Sequence, residues 1–190
     1  VCSSDLYEGA VVELKRAMKR PGWEAESLQW MSVAYARMQM PIELMDTWSR
    51  LGHAYMVENR FEDALSLYLE IGSQTKGSIN ARINETCLQY NIGWNFARLG
   101  YYSEARDLFG RIDSESELHE DATQWLNWLD EVMDSPSVPV QSHRLPSVCD
   151  EHIFNLDNDI DIEPRNGIST ILNSNQTAVR SRQAYASLPK

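Results

Sequence analysis

The stretch WSRLGHAYMVENRFEDALSLY, residues 48–68, combines an amphipathic pattern of bulky residues with two small ones, Gly52 and Ala64. Apolar residues recur at helical spacing on both sides of a short polar segment, residues 58–60. This pattern predicts two helices joined by a tight turn. Small residues on facing helices let the backbones approach closely, while larger neighbours fill the grooves. The stretch therefore predicts a helical hairpin packed through Gly52 and Ala64.

A second stretch, INETCLQYNIGWNFARLGYYSEARDLFGRI at residues 83–112, repeats this arrangement. Gly93 follows Gly52 by 41 residues, and Ala105 follows Ala64 by the same 41. Two pairs that agree on one spacing indicate an internal repeat of helical hairpins. Gln89 stands where the first copy has Trp48.

The repeated positions resemble the signature of the tetratricopeptide family. The matching residues are Trp48, Leu51, Gly52, Tyr55, Ala64 and Tyr68 in the first copy, with Ile92, Gly93, Phe96, Ala105 and Phe109 in the second. The resemblance implies an all-α fold in which antiparallel helix-turn-helix repeats stack as an α-solenoid. A period of 41 exceeds the family's usual 34 by about two helical turns. We expect these extra residues to lengthen the first helix of the second repeat, over residues 80–99, after a break at Gly77 and Ser78.

Two more helices are predicted upstream. Residues 7–18, YEGAVVELKRAM, resemble the second helix of an earlier repeat, with small or apolar residues at the family's offsets. Residues 24–38 predict a helix that ends before Pro41 and has Ser32 at the place of Gly52. Two helices of the first type then follow each other, which we interpret as a degenerate repeat kinked at Pro41.

The C-terminal part divides into a helix and a tail. Residues 116–133, SELHEDATQWLNWLDEVM, have apolar residues at helical spacing and predict a capping helix that closes a repeat domain spanning residues 7–133. Residues 134–190 are rich in Pro, Ser, Asn and Gln and predict a disordered or linker-like tail. Within the tail, residues 134–163 contain one basic and seven acidic residues, whereas residues 164–190 contain four basic residues and no acidic one.

The N-terminal residues 1–6, VCSSDL, match the translation of the end of a common sequencing adapter. We interpret them as a sequencing artefact, and the chain as a C-terminal fragment. Further repeats or an effector domain are then expected upstream.

Composition excludes several classes of partner. The formal net charge of -11, from 17 basic and 28 acidic residues, repels phosphates, so we predict no binding to nucleic acid or to anionic membranes. Three widely spaced cysteines, Cys2, Cys87 and Cys149, fit a reducing compartment. No apolar run is long enough to cross a bilayer, and no signal-peptide pattern is present. These features predict a cytoplasmic or nuclear protein, and we take cytoplasmic as the prediction.

No arrangement of residues indicates catalysis, a cofactor or a metal site. The chain has no Gly-rich phosphate loop, no HExxH pair and no serine elbow. The group of His143, Cys149 and His152 is one ligand short of a structural zinc site. A calcium loop starting at Asp157 fails, because Ile162 and Ile168 stand where Gly and Glu are needed. We therefore predict a protein that is not an enzyme.

The function that remains is recognition of a partner by a helical surface. In the tetratricopeptide family, defined positions of each first helix face a concave groove that contacts the ligand. In this sequence, the family's groove positions correspond to Asp46, Ser49, His53, Met56 and Val57 in the first repeat, and to Cys87, Tyr90, Trp94, Ala97 and Arg98 in the second. The partner-binding residues that we predict are Ser49, His53, Met56, Tyr90, Asn91, Trp94 and Arg98.

Tyr90 and Trp94 are the predicted anchors of this groove, because aromatic side chains dominate protein recognition. The alternative is that Trp94 packs against a neighbouring helix, since Trp is usually largely buried. Asn91 stands at an Asn position of the family's carboxylate clamp. Ser49 and His53 occupy the places where Lys and Asn are needed, so a clamp is disfavoured.

The resemblance thus implies an interaction module, an adaptor or scaffold that binds a peptide or helical segment of a partner protein. The alternative is a regulatory array of a larger enzyme or transcription regulator whose effector domain lies upstream. A third interpretation is self-association through the open N-terminal end of the stack. The sequence leaves the oligomeric state open.

Overall fold

The computed structural model describes residues 3–75 and 84–135, and these residues form helices and turns without any strand. The helices are α1 Ser3–Ala17, α2 Glu24–Arg37, α3 Pro41–Val57, α4 Phe61–Thr75, α5 Glu85–Arg98, α6 Tyr102–Phe109 and α7 His119–Asp134. Each helix packs mainly against the helices next to it in the chain. The predicted all-α character is confirmed for the described residues.

Three of the connections share one turn geometry. In the turns α2–α3, α3–α4 and α5–α6, the middle residue has a positive φ: Gln39 at 57°, Asn59 at 60° and Gly100 at 82°. The next residue's N–H donates to a carbonyl five residues back, over 2.8–3.0 Å. The three acceptors are Tyr35, Tyr55 and Phe96, which hold the same place in the repeat signature. This is the Schellman closure of a helix, and it makes each pair a tight hairpin.

The turn at Gln39 corrects the interpretation of Pro41. Pro41 is the first residue of α3, not a kink within a longer helix. A proline is favoured there because its φ is preset for a helix and no N–H partner is needed. Helix α3 therefore serves twice, as the second helix of the α2–α3 hairpin and as the first helix of the α3–α4 hairpin.

The predicted N-terminal extension of the first helix in the second repeat is wrong. Helix α5 begins at Glu85, and its 14 residues make it shorter than α3, which has 17. The side chain of Asn84 caps α5 by accepting a hydrogen bond from the N–H of Cys87 at 3.0 Å. Gly77, Ser78 and residues 80–83, where the break and the extension are predicted, lie outside the described residues.

The small residues of the signature lie where the hairpins pack most closely. Ala64 and Ala105 are fully buried. A Cβ added to Gly52 would lie 2.8 Å from Cζ of Tyr68, and one added to Gly93 would lie 3.3 Å from Cβ of Leu108. These distances show that the backbones of α3 and α5 approach the following helix through a glycine.

Around these contacts, apolar side chains of all seven described helices form the core. Each fully buried Leu or Ile, such as Leu65, Leu67 and Ile71 on α4, contributes roughly 1.5–3 kcal/mol to stability. The predicted tail beyond Ser135, with the zinc and calcium candidates of the sequence, lies outside the described residues. Residues 3–6 belong to α1. Their origin as part of a sequencing adapter remains a prediction.

Candidate functional site

Most of the positions that the family resemblance assigns to a concave groove are buried. Of the seven predicted partner-binding residues, five are buried: Ser49, Met56, Tyr90, Asn91 and Trp94. The other two, His53 and Arg98, are half-buried. Among the remaining groove positions Cys87 and Ala97 are buried, Asp46 is half-buried, and Val57 is 68% exposed.

Helix α7 covers the two predicted anchors. The indole Nε1 of Trp125 donates a hydrogen bond to the hydroxyl of Tyr90 at 3.2 Å, and its ring meets that of Trp94 edge-on at 6.4 Å. Trp125 also stacks on Phe109 of α6, with the ring planes 7° apart and the centroids 5.7 Å apart. Tyr90 is 1% exposed and Trp94 6%. Both are core residues in this structure, as the alternative interpretation of Trp94 has it.

Arg98 lies over aromatic rings at the end of α5. Its guanidinium is 4.8 Å from the ring centre of Phe61 and 5.3 Å from that of Trp94. Such contacts contribute roughly 0.5–2 kcal/mol. Arg98 therefore joins the α4 and α5 helices, in addition to any contact with a partner.

Asn91 belongs to a polar strip inside α5. The Nδ2 of Asn95 donates to the backbone carbonyl of Asn91 at 2.8 Å. Both side chains are buried, and neither Oδ1 has a hydrogen-bond partner among the described residues. The buried amide of Asn91 is thus not presented to a ligand in an open groove.

The most exposed aromatic surface of the described chain lies elsewhere, beside α2. Trp30 is 58% exposed and borders an open cleft of about 540 Å³ between α2 and the turn that joins α3 to α4. This Trp30 cleft is lined by Gly22, Ala25, Glu26, Gln29, Trp30, Val33, Glu58 and Arg60. Its size falls within the roughly 300–1,000 Å³ range of ligand pockets.

Trp30 is exposed at the cleft because it lies outside the buried stripe of α2. Leu28, Met31 and Tyr35 are buried at helical spacing and face α3 and the core. Trp30 lies two residues after Leu28, about 200° around the helix, so it cannot share that stripe. Glu26 and Val33 are its neighbours at i-4 and i+3 on the same outer face. The aromatic ring, an acid and an aliphatic side chain are thereby brought together.

On the opposite wall of the cleft, Arg60 makes ion pairs with two acidic side chains. Its Nη2 lies 2.7 Å from a carboxylate oxygen of Asp63, and its Nη1 lies 3.4 Å from Glu58. The guanidinium also lies 4.0 Å from the ring centre of Tyr55. Burial lowers the pKa of Arg60, but the hydrogen bond to Asp63 and the neighbouring negative charges outweigh it, and the pKa lies above its ordinary value. Arg60 therefore stays charged and is already paired.

The acids of the cleft are less well paired than its arginine. Glu26 makes no ion pair with a described residue, and the ion pair of Glu58 within the described chain is the 3.4 Å contact with Arg60. Among the described residues that line the cleft, the two carboxylates of Glu26 and Glu58 thus outnumber the cation of Arg60. The cleft carries a net negative charge beside an exposed indole.

Comparison of the chain with family models, curated proteins and solved structures gives no match. The tetratricopeptide resemblance therefore rests on the signature residues and on the hairpins that they form.

Metal-ligating side chains do not cluster in the described part of the chain. Within residues 3–75 and 84–135, no three His, Cys, Asp or Glu side chains come together as a group that would hold a metal ion. Among the helices described, none combines the length and the apolar character needed to cross a bilayer.

Proposed function

We propose that the chain is a protein-protein interaction module of the tetratricopeptide type, whose hairpins stack as an α-solenoid and which binds a segment of a partner protein. The support is a repeated signature, Gly52 with Ala64 and Gly93 with Ala105, whose residues lie at close hairpin contacts. Modules of such hairpins present extended surfaces to their ligands.

The binding surface that we propose is the Trp30 cleft. The observation that carries this choice is the 58% exposure of Trp30 beside an open cleft, while the family's anchor positions lie under α7. Trp is enriched among residues that dominate binding energy, and a large exposed indole is costly to keep in water. Docking of a partner segment would cover it.

Capture experiments with the full chain test this proposal. The immobilised protein and three variants, Trp30→Ala, Val57→Ala and Met133→Ala, are compared for the proteins that each retains from a native lysate. Val57 is the exposed residue among the family's groove positions, and Met133 is an exposed apolar residue on another helix, α7. The three truncations therefore test three separate surfaces.

The expected result is a specific partner that is lost with Trp30→Ala and retained by the other two variants. Loss with Val57→Ala and retention by Trp30→Ala would place binding on the family's groove and refute the choice of surface. If no protein is captured specifically by the unaltered chain, the interaction function itself is refuted. All variants must give helical circular dichroism equal to that of the parent.

A further inference from the structure

The charge and aromatic character of the Trp30 cleft together indicate the chemistry of its ligand. We propose that the cleft binds a cationic side chain, an arginine of the partner segment, with the guanidinium over the Trp30 indole and paired with Glu26 and Glu58. This inference rests on the proposed function, because it names the group that the cleft recognises.

The same chain shows the geometry twice, with its own arginines. Arg60 lies over Tyr55 at 4.0 Å, and Arg98 lies over Phe61 at 4.8 Å. Trp gives the strongest attraction to cations among the aromatic side chains. Trp30 has no hydrogen bond, ring contact or cation among the described residues, although it is the most exposed of the described tryptophans.

The carboxylates favour a cation rather than a neutral or acidic group. Glu26 is on the same face of α2 as Trp30, one helical turn away, and Glu58 approaches from the opposite wall. A guanidinium between them would pair with one acid on each side, and its planar fork suits two carboxylates better than a lysine ammonium does. Arg60 lies closer to Asp63, at 2.7 Å, than to Glu58, at 3.4 Å, and it makes no ion pair with Glu26.

An acidic ligand is disfavoured for the same reason. Two carboxylates line the cleft, and the whole chain has a formal charge of -11. Like charges on an approaching segment would be repelled, which selects against wrong partners as well as steering the right one. Val33 and Ala25 add an apolar floor for an aliphatic neighbour of the arginine.

The experiment uses the full chain, labelled with nitrogen-15, and follows the indole N–H resonance of Trp30 by NMR. The probe is the acetylated and amidated peptide Ala-Leu-Arg-Leu-Ala. Its matched control carries citrulline in place of arginine, which keeps the shape and removes the charge. Two variants, Glu26→Gln and Glu131→Gln, compare an acid of the cleft with an exposed acid on α7.

The arginine peptide is expected to shift the Trp30 resonance to saturation, with affinity about tenfold higher than the citrulline peptide, a difference of about 1.4 kcal/mol. Glu26→Gln should weaken binding several-fold and Glu131→Gln should not. Added salt should weaken it too, because exposed charges are screened.

Equal binding of the two peptides would overturn the cationic assignment while leaving the Trp30 cleft as a binding surface. No shift at millimolar arginine peptide would also overturn it, whatever the capture experiment shows. If binding appears only after Arg165, Arg180, Arg182 and Lys190 are replaced by Gln, the chain's own basic residues are the occupant, and the assignment to a partner is wrong.

Discussion

Gly52 on α3 lies against the ring of Tyr68 on α4, so closely that a Cβ at residue 52 would be 2.8 Å from Tyr68 Cζ. Tyr68 is fully buried in the core. The glycine is therefore required by the packing of the hairpin and not by a turn. Gly93 repeats this role on α5, where a Cβ would come within 3.3 Å of Leu108 and Phe109.

Replacing Gly52 with Ala is expected to lower the free energy of unfolding by about 1–3 kcal/mol through overpacking. The loss should appear although alanine favours a helix over glycine by about 1 kcal/mol. Gly9→Ala is the matched control, since it lies in α1 and a Cβ there would meet no atom within 4 Å. That control should gain stability. Urea unfolding followed by circular dichroism measures both, and equal effects of the two substitutions would refute the packing role of Gly52.

The turn residues provide a second prediction. Gly100 has a φ of 82°, where an L side chain costs roughly 1–2 kcal/mol, so Gly100→Ala should lower stability by about that amount. Gln39, at 57° in the equivalent turn, already bears that cost. Gln39→Gly should therefore raise stability or leave it unchanged. Thermal melts compare the two, and an unchanged melting temperature for Gly100→Ala would show that the turn lacks the left-handed residue of a Schellman closure.

The three hairpin turns also show how far the sequence could predict the fold. The signature positions of α3 and α5 identified two hairpins, because small residues at fixed offsets indicate close contact between helices. The α2–α3 hairpin gave a weaker signal, because Ser32 replaces the packing glycine and Gln39 replaces the Asn or Gly of the other two turns. The length of the repeat predicted too early a start for α5, whereas Asn84, a preferred N-cap, marks the observed one.

The candidate site was harder to predict than the helices. Tyr90 and Trp94 fit the family's groove by position, but Trp125, 35 residues beyond Tyr90, fills the space next to them. Position in a repeat does not reveal which helix packs against it. Trp30 did carry a signal, because it falls outside the apolar stripe of its own helix, and a bulky aromatic residue there has no place in the core.

Trp125 provides a prediction for the role of α7. It is fully buried, so Trp125→Ala should cost about 3–5 kcal/mol. Tyr90→Phe removes the oxygen that accepts the Trp125 N–H at 3.2 Å and should cost about 1–3 kcal/mol. Asn127→Ala, exposed on the same helix, should change stability by less than about 0.5 kcal/mol. Urea denaturation measures the free energy of unfolding of the three variants, and we expect the loss to be largest for Trp125→Ala and smallest for Asn127→Ala. A small loss for Trp125→Ala would contradict tight docking of α7.

Tyr55 gives a prediction at alkaline pH. Burial raises the pKa of its phenol above the ordinary 10.0, although the charge of Arg60 opposes the shift. The unfolded chain therefore loses this proton first, and the free energy of unfolding should fall as pH rises above 10. Tyr55→Phe removes this contribution, so its stability should fall less steeply over the same range. The free energy of unfolding of both proteins is measured by urea unfolding across this pH range. If it fell equally in the two proteins, Tyr55 would have the same pKa in the folded and unfolded chains.

Site-specific photo-crosslinking tests most directly that the Trp30 cleft is the binding surface. The photoreactive residue p-benzoylphenylalanine is placed at position 29, 57 or 133 of the full chain, and covalent adducts are collected after irradiation in the native lysate. Gln29 lines the cleft beside Trp30, so this substitution leaves the indole in place. We predict a discrete adduct from position 29 that is absent from positions 57 and 133. Adducts from position 57 without one from position 29 would contradict this assignment and return binding to the family's groove.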